Sequence, residues 1–314
     1  MEIVNFAKEY VAAARTIALL NYQEEQKRNA VLPKIEEVPD LTYFIENGIG
    51  VVALDNGNVI GFLCFYKPWK EMFGTHAGGT FSPMHAHGSV EENRELIYQK
   101  MYEKIAESLV AEGAYIHSIS LYAGDVAGQS AFFTYGFGNR CMDAIREMKS
   151  ASDYMDNQLV CSELPLKEFP DIRQLRSDLN HHLTESPCFF VSVPEDEQNW
   201  LDRVEKGDRR TFVIKNQLEK VVAYIDVSDE GETFITEMPN MINICGAYCI
   251  PEYRGSGAIE YLLNYVINTL KEEGYSLLGV DYESFNPTAL RFWRKHFTPY
   301  TRSLVRRIDE CFKD

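Results

Sequence analysis

No run in this sequence approaches the ~18 consecutive apolar residues that a membrane span requires. Cysteine is sparse and unpaired in pattern. There are seven, an odd number, with no pair at CxxC spacing, which argues against a disulfide framework. Basic residues are the minority, 31 against 47 acidic, and the net charge of −16 repels the phosphates of nucleic acid. Low-complexity segments are missing. So are the basic start and apolar block of a secretory signal, since the chain opens Met1-Glu2-Ile3-Val4-Asn5. These absences lead us to expect a cytoplasmic protein with reduced thiols and with neither a nucleic-acid nor a membrane partner.

The 314 residues suit two domains of about 150 residues each, and 45% hydrophobic with 25% charged residues is an ordinary globular composition. The most informative stretch runs from Asn243 to Trp293. An apolar run, Ile244 to Ile250, has strand composition. Leu262, Leu263, Val266, Ile267 and Leu270 recur at helical spacing. Between them lies Pro251-Glu252-Tyr253-Arg254-Gly255-Ser256-Gly257-Ala258-Ile259. Glycines in such a strand-to-helix turn allow positive φ and close approach of the backbone to a ligand. The helix start beyond them offers unpaired amides and a positive dipole end, so the loop predicts an anion site of phosphate type.

This order of strand, Arg-Gly-Ser-Gly loop, amphipathic helix, strand, Asn286-Pro287-Thr288-Ala289 and short helix resembles the GNAT superfamily of acetyl-CoA-dependent N-acyltransferases. In that family the pyrophosphate loop reads Arg or Gln, two free positions, Gly, one free position, then Gly or Ala. Arg254 and Gly257 match, whereas Ile259 stands where a tiny residue is usual. The resemblance implies an α/β (α+β) fold with a mixed, mostly antiparallel central sheet flanked by helices.

Two halves of the chain repeat one succession at a period of about 160 residues. In the first, a helix over 91–112 precedes the strand 115–121 and a short helix 129–135. In the second, a helix over 256–273 precedes the strand 277–282 and the helix 287–295. Hairpins are expected at 50–54 with 59–65 around Asn56-Gly57, and at 211–214 with 220–225. One or two surface helices are expected within 6–29, others within 170–183 and 194–204, a strand at 234–236, and a loop over 67–88. We therefore expect tandem GNAT-like domains, 1–150 and 151–314, joined near Lys149 to Asn157. The first copy has Pro83-Met84-His85-Ala86-His87-Gly88-Ser89 where the second has its glycine loop, so it is expected to be degenerate and to bind acyl-CoA poorly. His76, His85 and His87 are of metal-ligand type, but without clear ligand spacing they read as loop histidines, and no metal is expected. His181-His182 reads as the exposed end of a helix.

The resemblance implies that acetyl-CoA is the acyl donor, held by the amides of Arg254, Gly255, Ser256, Gly257, Ala258 and Ile259. Amides of Tyr248, Cys249 and Ile250 would hold the pantetheine arm, and Asn286 would contact it or cap the short helix. An amine attacks the thioester directly, so one group must take a proton from the amine and another must protonate the thiolate. The family's acidic tyrosine falls at Trp293 here, and at Phe133 in the first half. Tyr300 is one substitute acid, and Tyr248 and Tyr282 are further candidates. Glu237, Glu283 and Asp281 are the base candidates. Cys245 and Cys249, four apart on a strand, are placed on one face and read as packing.

A small-molecule or peptide amine is the expected acceptor, with the aromatic loop 69–81 a candidate wall of its pocket. A noncatalytic acyl-CoA-binding or regulatory protein is the alternative from another class. A dinucleotide-binding domain fits less well because its Gly-x-Gly-x-x-Gly fingerprint is missing. The sequence does not set the oligomeric state, and a homodimer is left open.

Overall fold

The computed structural model describes residues 1–150, 158–190 and 197–308. The chain divides into two compact units, Met1–Met142 together with the chain from Pro299 onward, and Asp143–Thr298. This division departs from 1–150 and 151–314 at two places. The first unit closes earlier, and the chain returns to it after the second. Residues 151–157 of the expected junction lie outside the described residues.

In the first unit, β1 (Glu2–Asn5), β2 (Gly48–Asp55), β3 (Asn58–Tyr66) and β5 (His87–Ser89) form an antiparallel sheet in that order. The expected hairpin is present. Asn56 at φ 50° and Gly57 at φ 81° make the left-handed two-residue turn that matches strand twist. Side chains alternate across these strands. Val52, Phe62 and Cys64 pack with Ala14, Ile17 and Ala18 of α1 (Val11–Arg28) and with Phe44 of α2 (Tyr43–Asn47). Val51, Leu63 and Phe65 face the other way, toward Ile97, Met101 and Ile105 of α3 (Arg94–Ala111) and Phe132 of α4 (Val126–Thr134). Both faces are covered, which is why β3 reads as a continuous apolar run.

A second set of strands runs in the order β4 (Gly79–Ser82), β6 (Ile116–Tyr122), β14 (Thr301–Arg307) and β7 (Gly138–Glu147), the last belonging to this unit only as far as Met142. β4 and β6 are parallel, and β14 is antiparallel to both of its neighbours. Part of the expected loop 67–88 is therefore strand. The final strand of the unit comes from beyond residue 300, and its Leu304 is fully buried among Ile119, Leu121, Phe132 and Phe137.

In the second unit, β8 (Val160–Glu163), β9 (Arg209–Lys215), β10 (Val221–Ser228), β11 (Met241–Cys249) and β12 (Leu277–Glu283) follow in spatial order. All neighbours are antiparallel except β11 and β12, which are parallel. One face carries α5 (Arg173–Thr184) and α6 (Glu197–Lys206), with Leu175 and Trp200 packed on Val213 and Tyr224. The helix α7 (Ala258–Glu272) packs on β9 and β10 and buries Leu262, Leu263, Val266, Ile267 and Leu270, each stabilising by roughly 1.5–3 kcal/mol. After β12 come α8 (Pro287–His296) and the two-residue strand β13 (Thr298–Pro299). The strand expected at 234–236 is a turn instead. The Thr236 amide and hydroxyl both donate to the Thr233 carbonyl, the amide at 3.0 Å, and this local bonding removes the segment from any ladder. No helix among the described residues is long and apolar enough to cross a membrane.

Truncating Leu304 to Ala should cost about 2–5 kcal/mol of first-unit stability, as expected for a cavity in a closed core. Urea denaturation followed by probes in each unit checks this. An unchanged transition would mean that β14 is dispensable to the first core.

Candidate functional site

Parallel pairing of β11 with β12 runs from Met241 opposite Leu277 to Ile244 opposite Val280, and there it stops. The ladder between β11 and β10 shows why. Val227 faces Ile244, but the next residue back, Asp226, faces Gly246, so Cys245 is an extra residue forming a β-bulge. Beyond the bulge β11 stays on β10 as far as Ala223 opposite Cys249, and a gap opens on the β12 side. The Ile250 amide donates to Val222 O at 3.0 Å, which fixes the alternation of the ladder. Tyr248 and Ile250 turn their amides toward β10, while Ala247 and Cys249 turn theirs into the gap. Of the three amides expected to hold a ligand, Cys249 is therefore aimed at the gap, and Ala247 replaces Tyr248 and Ile250.

After β11 the chain makes a short 3-10 turn, Pro251–Tyr253, and enters α7 through Gly255 at φ 77° and Gly257 at φ 93°. The loop's own turns use some of its amides. Arg254 N–H donates to Pro251 O at 3.2 Å, Ser256 N–H to Tyr253 O at 3.3 Å, and Ala258 N–H to Ser256 Oγ at 3.3 Å. The amides of Gly255, Gly257 and Ile259 have no acceptor among the described residues. Left-handed glycines alternating with ordinary residues form a concave nest of amides at a helix start. The Arg254 guanidinium bonds Cys249 O through Nε at 2.9 Å and lies over the Tyr248 ring at 5.2 Å, tying loop to strand.

Gap and loop open onto a cavity of about 610 Å³. Leu179, Ala247, Ile259, Phe292 and Trp293 supply apolar walls. Arg254, Arg291 and Lys295 supply three cations against one carboxylate, Glu260, in a chain that is acidic as a whole. Asn286 caps α8, its Oδ1 accepting from Thr288 N–H at 3.2 Å and Ala289 N–H at 3.3 Å. The His182 Nε2 approaches the same oxygen at 3.4 Å from α5. His182 thus lines the cavity, while its neighbour His181 points outward to Glu185 at 3.2 Å. The expectation of an exposed helix end is met by His181 alone. A signal was available in the spacing, because Leu175, Leu179 and His182 fall on one helix stripe.

The Acetyltransferase (GNAT) family model matches residues 172–297, a span that contains every wall of this cavity. The chain carries a GNAT domain. Among solved structures, a GCN5-related N-acetyltransferase from Sphaerobacter thermophilus is similar over 97% of this chain and 95% of its own, at 12% identity and TM-score 0.55. The glucosamine N-acetyltransferase region of a fungal multi-domain GH3 β-N-acetylglucosaminidase is similar over 97% of this chain and 38% of that one, at 13% identity and TM-score 0.52. At such identities these likenesses speak to the fold, and the first extends it across both units. No curated protein matches the chain in sequence.

Other expected site residues fall elsewhere. Tyr300 is fully buried in the first unit, where its carbonyl accepts from Ala123 N–H at 2.9 Å, so it is no part of the GNAT cavity. Glu237 is exposed near the opposite end of β11, in an acidic hollow with Asp208, Asp229 and Glu230. Tyr248 does line the cavity, with burial raising its phenol pKa. Cys245 and Cys249 do not share a face as expected, because the bulge between them shifts the alternation; Cys249 lines the cavity and Cys245 does not. Burial pushes the Cys249 thiol up to about 11, which keeps it protonated, whereas Cys245 is exposed. Asp281 follows Val280, the last residue of β12 that pairs with β11. It keeps solvent access, yet protein crowding first, and then the charges of Asp143, Glu232 and Glu283, raise its carboxyl to about 8.

The first unit has the same parallel start, Gly79 opposite Ile116 through Ser82 opposite Ile119, but its gap is filled. The chain leaves β4 at Pro83, and the buried His87 ring spans from Tyr98 Oη, at 2.9 Å from Nδ1, to Ser120 O, at 2.8 Å from Nε2. Both ring nitrogens are engaged, so His87 is not available as a metal ligand. Beside the start of α3, the Arg94 side chain is bonded to Glu24 at 2.8 and 3.1 Å and to Ser89 O at 3.1 Å.

Because the folded state raises the Asp281 acid above its unfolded value of about 4, the native protein holds a proton that the unfolded chain releases, and stability should fall as pH rises from there to about 8. An Asp281→Asn variant should gain on wild type across that window and hold a constant advantage above it. Denaturation midpoints at several pH values test this, and a pH-independent difference would show that Asp281 titrates normally.

Proposed function

We propose that the protein is an acetyl-CoA-dependent N-acyltransferase that moves an acetyl group to an amine at one site, in the GNAT domain. The observation that carries this reading is the set of unclaimed amides of Gly255, Gly257 and Ile259 at the mouth of the splayed β11–β12 cavity. They fit a pyrophosphate, and Arg254, Arg291 and Lys295 add the charge such a group needs. The apolar walls suit a pantetheine arm. Amides of Ala247 and Cys249 would orient and polarise the thioester carbonyl in the gap. Glu260 runs against the cation set: its Oε2 is buried without a hydrogen-bond partner among the described residues, and its other oxygen is 4.0 Å from Lys295. Ile259, whose side chain forms part of the wall, leaves its amide facing the nest.

Direct attack fits the chemistry of the lining, since the protonated Cys249 thiol is a poor relay. In the first unit the His87 ring bridges to Ser120 O just past the paired positions of β6, where the gap would open, which supports one donor per chain. The acceptor reaches the gap as a free amine, and the carboxylates near Asp281 suit an acceptor that arrives as a cation.

Calorimetry with acetyl-CoA tests the reading. One site per chain is expected, lost in Gly257→Glu, where a side chain must adopt φ 93° and project a carboxylate at the nest. Ligand at about 100 times Kd should raise stability by roughly 2.7 kcal/mol in wild type alone. Release of CoA thiol on adding members of an amine panel would establish transfer. Binding without thiol release by any amine would favour a noncatalytic acyl-CoA-binding protein.

A further inference from the structure

The GNAT cavity has no aromatic hydroxyl on α8, where Trp293 stands, and the nearby Tyr248 phenol is packed beneath Arg254. A protein acid for the departing sulfur would then come from another element, and α5 offers one. Leu179 and His182 project from its last turns into the cavity wall, beside Asn286 and Ala247 at the gap. Asn286 Oδ1 is held by two helix amides, and His182 Nε2 points at it from 3.4 Å. With Nε2–H directed there, Nδ1 is the nitrogen left to carry a transferable proton.

We propose that His182 is the catalytic acid that protonates the departing thiolate of CoA. This rests on the acyl-CoA reading of the cavity. The amine nitrogen bonds to the carbonyl carbon, giving a tetrahedral intermediate. On its collapse the carbon–sulfur bond breaks, the electron pair passes to sulfur, and the imidazolium gives its Nδ1 proton to that sulfur. The surplus proton of the amine leaves to solvent, which also recharges the imidazole. Asn286 then has two tasks, capping α8 and fixing the orientation of the ring.

The ionisable groups that share the cavity with His182 are Tyr248 and Cys249 on β11, Arg254 and Glu260 at the α7 end, and Arg291 and Lys295 on α8. On its own helix Asp178 lies one turn earlier, and His181 is paired outward with Glu185. Tyr248 and Cys249 are both shifted up by burial, Cys249 to about 11, so neither delivers a proton readily near neutrality.

The test needs no acceptor amine. CoA and desulfo-CoA are bound to wild type and to His182→Gln, whose amide can keep the bond to Asn286. The thiol of bound CoA is titrated by its ultraviolet thiolate absorbance, and the His182 ring by nitrogen-15 NMR. In wild type the bound thiol should titrate about one pH unit or more below free CoA, a tenfold change in its acid constant, because the imidazolium favours the thiolate. The His182 ring should titrate higher with CoA than with desulfo-CoA. In His182→Gln the thiol shift should vanish while desulfo-CoA affinity changes less than about twofold. Equal thiol titration in both proteins, or a His182 titration blind to the sulfur, would overturn the role and leave cofactor binding intact. Failure of both ligands to bind wild type overturns the acyl-CoA reading and this role with it.

Discussion

Parallel strands are held by evenly spaced hydrogen bonds, and one inserted residue is enough to put that spacing out of phase. Cys245 is such a residue. Before it, β11 is shared between β10 and β12; after it, β11 belongs to β10 alone. The gap that results exposes two backbone amides in the middle of a sheet, a place where amides are otherwise consumed by the ladder. Everything else at the site is arranged around that gap. The glycine loop closes one end, the capped start of α8 forms one side, and α5 covers the approach with Leu179 and His182.

The two units complete a common plan in different ways. Each begins with four paired positions between parallel strands. In the second the strand continues past a bulge and leaves amides unclaimed. In the first it breaks at Pro83, and the His87 ring takes up the vacancy by bridging across to β6. Burial pushes the His87 imidazole down to about 4, so the bridge is neutral at ordinary pH.

Much of this was legible in the amino-acid order because the signals were local. Asn56-Gly57 marked a hairpin, the apolar stripe from Leu262 to Leu270 marked α7, and Arg254 to Gly257 marked the loop between strand and helix. Strands whose partners lie far away in sequence were harder to see. β7 and β14 mix arginine with apolar residues, and nothing beside them indicates which edge they join. The orientation of amides in the gap was also hidden, since it depends on a single-residue bulge that leaves no compositional trace. His182 was missed for a different reason: two adjacent histidines near a helix end look polar, although the helical period turns one inward and the other outward.

The origin of β14 sets an order on how the chain can acquire its shape during synthesis. Residues up to Met142 leave the ribosome without the strand that belongs between β6 and β7, and that strand lies about 160 residues downstream, on the order of ten to thirty seconds of translation. Through that interval two strand edges stand open and Leu304 is missing from the core, a state prone to pairing with the wrong partner. In the GNAT unit, encoded later, the ladders joining β8 through β12 are all made between residues 160 and 283, close together in the chain. It can therefore finish first, so the earlier-made half of this protein is the later one to mature.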